Sequence, residues 1–259
     1  MSGTIAFASR RVSTVTQELV VGVTGLLLIG FVIAHLSGNL LILVGPEAFN
    51  AYAHKLQSLG PLLWVARIGL IITFVLHISG AIGLALSNRA ARKQGYAVQH
   101  SIGRRGPGTR TMTYTGLAVF FFLLLHLYDF TFADKTGPKS FLVQWPESSA
   151  YQYHGAASGE AGAGNFAPGR QESAELYGVV WNAFANPVHS FLYILAMIAV
   201  GLHMSHAASS VLVTLGVLKE TGTTKAELIG KCLGVAVAGG FILIPLYVLA
   251  RTYLGGGPA

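Results

Sequence analysis

Five stretches of the chain are apolar over a length that suits a lipid bilayer. They run about 20–44, 62–86, 114–132, 188–212 and 228–254, and Leu, Ile, Val, Phe and Ala dominate each. Crossing a hydrocarbon core takes about 20 such residues in a helix. An open strand could not satisfy its backbone polar groups in lipid. The pattern therefore predicts an all-α integral membrane bundle of five transmembrane helices, a single domain over 1–259. Pro245 falls inside the fifth run and predicts a kink there.

The intervals between these runs set the expected orientation. Arg10 and Arg11 precede the first span, and Arg89, Arg92, Lys93, Arg104, Arg105 and Arg110 lie between the second and third without an acid. Lys219 and Lys225 lie between the fourth and fifth. The opposite side carries Glu47 and Lys55, then Asp134, Glu147, Glu160, Glu172 and Glu175 against Lys135, Lys139 and Arg170. The positive-inside rule puts the N-terminus in the cytoplasm and the C-terminus outside. The long interval of about 133–187 is Gly- and Ala-rich at its centre, and reads as an irregular flap over the outer face.

Composition agrees with a membrane class. Charged residues make up 10% of the chain and mean hydropathy is +0.58, against about 25% charged in a soluble domain. The net charge of +7 does not point to nucleic acid, because its basic residues cluster in short loops between apolar runs. Ser9-Arg10-Arg11 resembles a twin-arginine export signal only superficially, since the apolar run behind it is too long and lacks a small-residue cleavage site. Cys232 is the single cysteine. That excludes a disulfide framework, a CxxCH attachment site and a four-cysteine iron–sulfur centre. Cys232 is expected to pack within its helix.

Candidate chemistry lies in four phrases, each inside an apolar run: His35-Leu36-Ser37-Gly38, His77-Ile78-Ser79-Gly80, His126-Leu127-Tyr128-Asp129 and His203-Met204-Ser205-His206. An ionisable side chain in a lipid-spanning helix is costly and faces a partner, a cavity or a ligand. Four such histidines on four helices have one economical explanation, non-covalent haem held by axial imidazoles.

Depth sorts them into pairs. His35 lies nine residues before the outer end of its helix, roughly 13 Å at 1.5 Å per residue, and His126 lies six residues before its outer end. His77 and His203 each lie nine residues before an inner end. Two layers follow, His35 with His126 outside and His77 with His203 inside, hence two b haems stacked across the bilayer. Gly38 and Gly80 share their histidine's face and would either admit a flat macrocycle or serve close helix packing. His206 could ligate in place of His203, but its depth matches His77 less well. It would then bind a propionate or a quinone near the rim. His54, His100, His154 and His189, in loops or at helix ends, are expected to be exposed.

The phrases resemble the single-chain, two-haem cytochrome b subunit that anchors bacterial succinate dehydrogenase and fumarate reductase, respiratory complex II. The matching stretches are Thr24-Gly25-Leu26, His35 to Leu40, Phe49 to Ala53, His77-Ile78, Asn88 to Arg92, His126 to Phe130 and Gly201 to His206. The resemblance implies axial-ligand roles for His35, His77, His126 and His203. It implies a flavoprotein subunit and an iron–sulfur subunit docked on the cytoplasmic side of a bacterial inner membrane. Electrons would then pass from the clusters through two haems to a membrane quinone, menaquinone by preference. The basic loop around Arg89 would serve docking or pair with propionates. Outer quinone-site candidates are Asn39, Glu47, Asn50, Lys55 and Asp129; inner ones are Ser13, Gln17, Arg89 and His206. Two rivals stand beside this reading. One is a di-haem subunit of a hydrogenase, a formate dehydrogenase or an ascorbate-reducible system. The other is a haem-free transporter with histidine proton relays.

Overall fold

The computed structural model describes residues 13–91, 107–132, 176–218 and 223–255. Seven α-helices are seen among them: α1 Thr14–Asn39, α2 Pro46–Gln57, α3 Pro61–Ala91, α4 Pro107–Leu127, α5 Leu176–Ala185, α6 Pro187–Thr214 and α7 Thr223–Tyr253. A 3₁₀ turn, Leu40–Leu43, extends α1, and a π-turn, Tyr128–Phe132, extends α4. No strand occurs among the described residues. Helices α1, α3, α4, α6 and α7 are long and apolar enough to cross a membrane, so the chain is a multi-pass membrane protein.

The spanning helices start earlier than the apolar runs do. Helix α1 begins at Thr14, α4 at Pro107 and α7 at Thr223, because the backbone ladder continues past the apolar limit until a capping group ends it. Ser13 supplies that group for α1, its hydroxyl accepting from the Thr16 N–H at 3.1 Å. Asn186 does the same for α6, accepting from the N–H groups of Val188 and His189 at 2.9 and 3.1 Å, with Pro187 in the first turn. Both satisfy donors that a helix start leaves open. Gly45, at φ 136°, breaks the chain after the 3₁₀ turn, a conformation open to glycine. Pro46 then starts α2, with Glu47 in its first turn and His54 and Lys55 in its last, complementing the helix dipole.

Two short helices lie outside the spans, one of them in the segment expected to be irregular. Helix α2 lies between the first two spans, and α5 takes up the last part of the expected 133–187 flap; residues 133–175 lie outside the described set. The sequence of α5, LYGVVWNAFA, is apolar on nearly every side, and Tyr177, Trp181 and Phe184 are all buried. Tyr177 stacks on Trp181 with centroids 5.6 Å apart, and Phe49 of α2 meets Tyr177 edge-on. The Asn50 side chain accepts from the Tyr177 N–H at 3.0 Å, tying α2 to α5. These helices form an aromatic plug with Ile42, Tyr193, Ile244 and Val248. The end of the bundle that they close is called the capped end below.

The second core lies mid-bundle, between Ile29 of α1, Met197, Val200 and Met204 of α6, and Val237 of α7. Helices α6 and α7 approach closely because glycines line their seam. A Cβ on Gly201 would meet the Ala238 Cβ at 2.7 Å, and one on Gly234 would meet the Gly201 carbonyl. Small residues at such crossings are the usual means of close packing in lipid. Elsewhere apolar side chains turn outward, among them Trp64, Ile71, Phe121 and Val235. That much exposed apolar surface belongs against lipid. Cys232, expected to pack within the bundle, is exposed among these outward groups.

Candidate functional site

Helix α3 packs on α1, and α4 on α6, while α1 also meets α6 and α7. Neither α1 with α4 nor α3 with α6 is among the extensively packed helix pairs. Yet His35 of α1 and His126 of α4 approach one another directly.

At the layer nearer the capped end, the rings of His35 and His126 lie with centroids 5.7 Å apart. A metal–imidazole bond is about 2.0–2.1 Å. Two imidazoles sharing one metal therefore have centroids roughly 6 Å apart once ring radii are added, by the same bond length. The walls of this layer are aromatic. Phe31 stacks on His35 at 5.5 Å, Phe241 lies 5.9 Å from it, and Phe122 and Phe130 lie 5.7 and 5.3 Å from His126. His126 Nδ1 is buried without a hydrogen-bond partner. A buried polar atom left bare is uncommon, and two imidazoles this close among flat aromatic side chains fit a haem.

At the other layer, His203 of α6 is within electrostatic reach of His77 of α3 and of His206. Each ring leans on a neighbouring helix. His77 Nδ1 lies 3.2 Å from the Thr24 hydroxyl of α1, and His203 Nδ1 lies 3.3 Å from the Thr115 hydroxyl of α4. The next residue is glycine in both cases. A Cβ on Gly25 would sit 3.2 Å from His77 Cε1, and one on Gly116 would sit 3.3 Å from His203 Cε1. The residues present fit a second haem here, with two supported imidazoles and small residues where the rings approach a helix.

Thr115 and Gly116 were not legible as site residues from histidine phrases alone. A signal for them exists: Thr24-Gly25-Leu26 precedes His35-Leu36 by the same 11 residues that separate Thr115-Gly116-Leu117 from His126-Leu127. Eleven residues are close to three helical turns, so each threonine and its histidine share a face roughly 16 Å apart along the axis. Helices α1 and α4 thus each give a histidine to one layer and a threonine–glycine pair to the other.

The remaining candidates are placed as follows. The Tyr52 side chain lies against Gly38, and a Cβ on Gly80 would meet Val21 Cγ2 at 2.7 Å. At both glycines, read as open between a macrocycle and helix packing, a protein side chain stands where a Cβ would lie. Arg89 is exposed at the end of α3. Asn39 donates to the His35 carbonyl at 2.8 Å. Glu47 and Lys55 are exposed, Asn50 is held by Tyr177, and Ser13 is a helix cap. Gln17, partly buried, and His206, partly buried beside His203, lie at the other end. His54 is exposed, whereas His100 and His154 lie outside the described residues.

His189 corrects the sequence expectation. It is fully buried rather than exposed, because α5 lies over the start of α6. It joins Asp129, itself 1% exposed, and Tyr193. The Tyr193 hydroxyl donates to Asp129 Oδ2 at 2.7 Å, and His189 Nε2 lies 3.4 Å from the same oxygen. The Tyr193 ring is 6.3 Å from that of His126. A polar cluster therefore adjoins the capped-end layer.

Comparison with family models, curated proteins and solved structures found no match to this chain.

Proposed function

We propose that this chain is a membrane-embedded di-haem cytochrome b. Within that class, the ordered phrases from Thr24 to His206 favour the anchor subunit of a bacterial succinate:quinone oxidoreductase, that is, a succinate dehydrogenase or fumarate reductase. The observation that carries the reading is the approach of the His35 and His126 rings, 5.7 Å apart between aromatic side chains, with His77 and His203 each held by a threonine on a neighbouring helix. His35 and His126 would hold one haem, and His77 and His203 the other. Haem, when bound, supplies reversible one-electron exchange.

The chain's own residues position and insulate. The aromatic walls of Phe31, Phe122, Phe130 and Phe241 exclude water from the capped-end layer, and burial is one of the levers that set a haem potential. The partner subunits would be a flavoprotein and an iron–sulfur protein, docked at the end where α1 begins. In this reading that end is cytoplasmic and the membrane is the bacterial inner membrane. The acceptor would be a membrane quinone, menaquinone by preference. Quinone chemistry needs proton exchange near the membrane surface, and the buried Asp129 beside Tyr193 and His189 supplies polar groups at the capped end.

The test is a reduced-minus-oxidised spectrum of the purified complex, with a pyridine haemochrome count per copy of this chain. The expected result is two b haems reducible by succinate. Two haems indifferent to succinate would move the chain to a hydrogenase, formate dehydrogenase or ascorbate-reducible system. No haem, in protein expressed with haem supplied, would discard the cytochrome reading in favour of a transporter.

A further inference from the structure

We infer that Thr24 and Thr115 are positioning residues that fix the ring tautomer of His77 and His203, leaving Nε2 of each free to bind iron. The inference rests on the haem reading and assigns two residues that do not themselves touch the metal.

The argument is a count of protons. A threonine hydroxyl has one hydrogen to give and two lone pairs to receive with. Thr24 Oγ1 lies 2.6 Å from the Val20 carbonyl, four residues back, and Thr115 Oγ1 lies 3.0 Å from the Thr111 carbonyl. Those bonds are shorter than the 3.2 and 3.3 Å contacts to the imidazoles, and a carbonyl oxygen can only accept. The hydroxyl hydrogen is therefore committed to the helix backbone. The contact to each ring must then run the other way, with Nδ1–H donating to the threonine oxygen. With Nδ1 protonated, Nε2 carries the lone pair.

Gly25 and Gly116 complete the device. Each leaves the space through which the imidazole Cε1 edge reaches the helix, and a Cβ would crowd it at 3.2 or 3.3 Å. The capped-end layer is arranged differently: His126 Nδ1 has no partner, and the group beside the His35 ring is an amide donor, Asn39 Nδ2, 3.4 Å from both ring nitrogens and 2.8 Å from the His35 carbonyl. The two layers thus differ in how their ligands are oriented. A donated Nδ1–H makes the imidazole a stronger ligand to iron, favouring the oxidised metal, and such outer partners are worth about 10–100-fold in metal affinity.

The experiment uses the full chain in its assembled complex, expressed with haem, as wild type and as Thr24→Val, Thr115→Val, Thr24→Ser and Thr115→Ser. Haem is counted per chain, and the two haems are resolved by redox titration and by the low-spin ferric resonance signals. His77→Ala identifies which signals belong to that layer. Each valine variant is expected to raise the potential and shift the signal of the His77/His203 haem, or to lose that haem, while the other haem is unmoved and reports intact folding. The serine variants are expected to restore wild-type behaviour. Valine variants with both haems unaltered would overturn the inference alone, as would equal shifts of both. A haem-free wild type would overturn the cytochrome reading and this inference together.

Discussion

Asp129 shows how much a single buried residue depends on its neighbours. Its Oδ1 has no hydrogen-bond partner and its Oδ2 receives the Tyr193 hydroxyl. Removing one partner from a buried polar group costs its desolvation, about 1–3 kcal/mol, whereas replacing both partners by apolar groups is nearly neutral. Tyr193→Phe is expected to lower stability by about that amount in thermal unfolding of the detergent-solubilised protein. Asp129→Leu with Tyr193→Phe should recover much of the loss. A double variant as unstable as the sum of its singles would mean that the pair does not act as a unit. Asp129 was visible in the sequence as an ionisable residue three places after His126. Tyr193 and His189 were not, because nothing local distinguishes them from a core tyrosine and a helix-end histidine. Only the cover provided by α5 makes them partners.

Helices α6 and α7 depend on the absence of side chains at their seam. A Cβ on Gly230 would strike the Ser205 carbonyl, and Gly201 and Gly234 are as closely approached. Overpacking of a tight contact costs typically about 1–3 kcal/mol. Gly234→Val is expected to cost at least the upper part of that range in the same unfolding assay. Gly239→Ala, on the same helix with nothing within 4 Å of its Cβ position, should be near neutral. Equal effects of the two would remove the packing explanation. Helix α5 is the other element whose role is energetic. Trp181→Ala takes a large side chain from the aromatic plug at a cost of about 3–5 kcal/mol. Its expected signature is faster hydrogen exchange across α2 and α5 together, since Asn50 and Tyr177 couple them. Exchange rising in α5 alone would contradict that coupling.

At the scale of the molecule, the proposed histidine layers would join α1 to α4 and α3 to α6. Two consequences follow from the proposed cytochrome. His77→Ala and His203→Ala should abolish the same haem, and His35→Ala and His126→Ala the other, as read by haemochrome count and redox titration. Loss of one haem by the pair His35 and His77 would contradict the layers. Haem removal should also loosen α3 selectively, because α3 packs mainly on α1 and no residue of its most apolar stretch is fully buried. A ligand that binds only the folded state stabilises it by mass action. Hydrogen exchange is therefore expected to rise over Pro61–Ala91 in haem-depleted protein while the α6–α7 seam holds. Uniform loosening of all five spans would count against a local bridge.

The sequence by itself determined the class of fold, because lipid admits few ways to satisfy a backbone and five apolar runs of this length leave only a helical bundle. It also sets an expected height for His35, His77, His126 and His203, since a rise of about 1.5 Å per residue converts position along a span into height. What it could not determine is which direction a residue faces around its helix and what stands opposite, for these depend on helices distant in the chain. Tertiary structure alone decided that Gly38 and Gly80 pack on Tyr52 and Val21 while Gly25 and Gly116 lie beside imidazoles. It decided that Thr115, 88 residues before His203, supports that ring. It turned an expected loop at Leu176–Ala185 into a buried helix, because a short apolar segment becomes a helix only where neighbours can cover all of its sides.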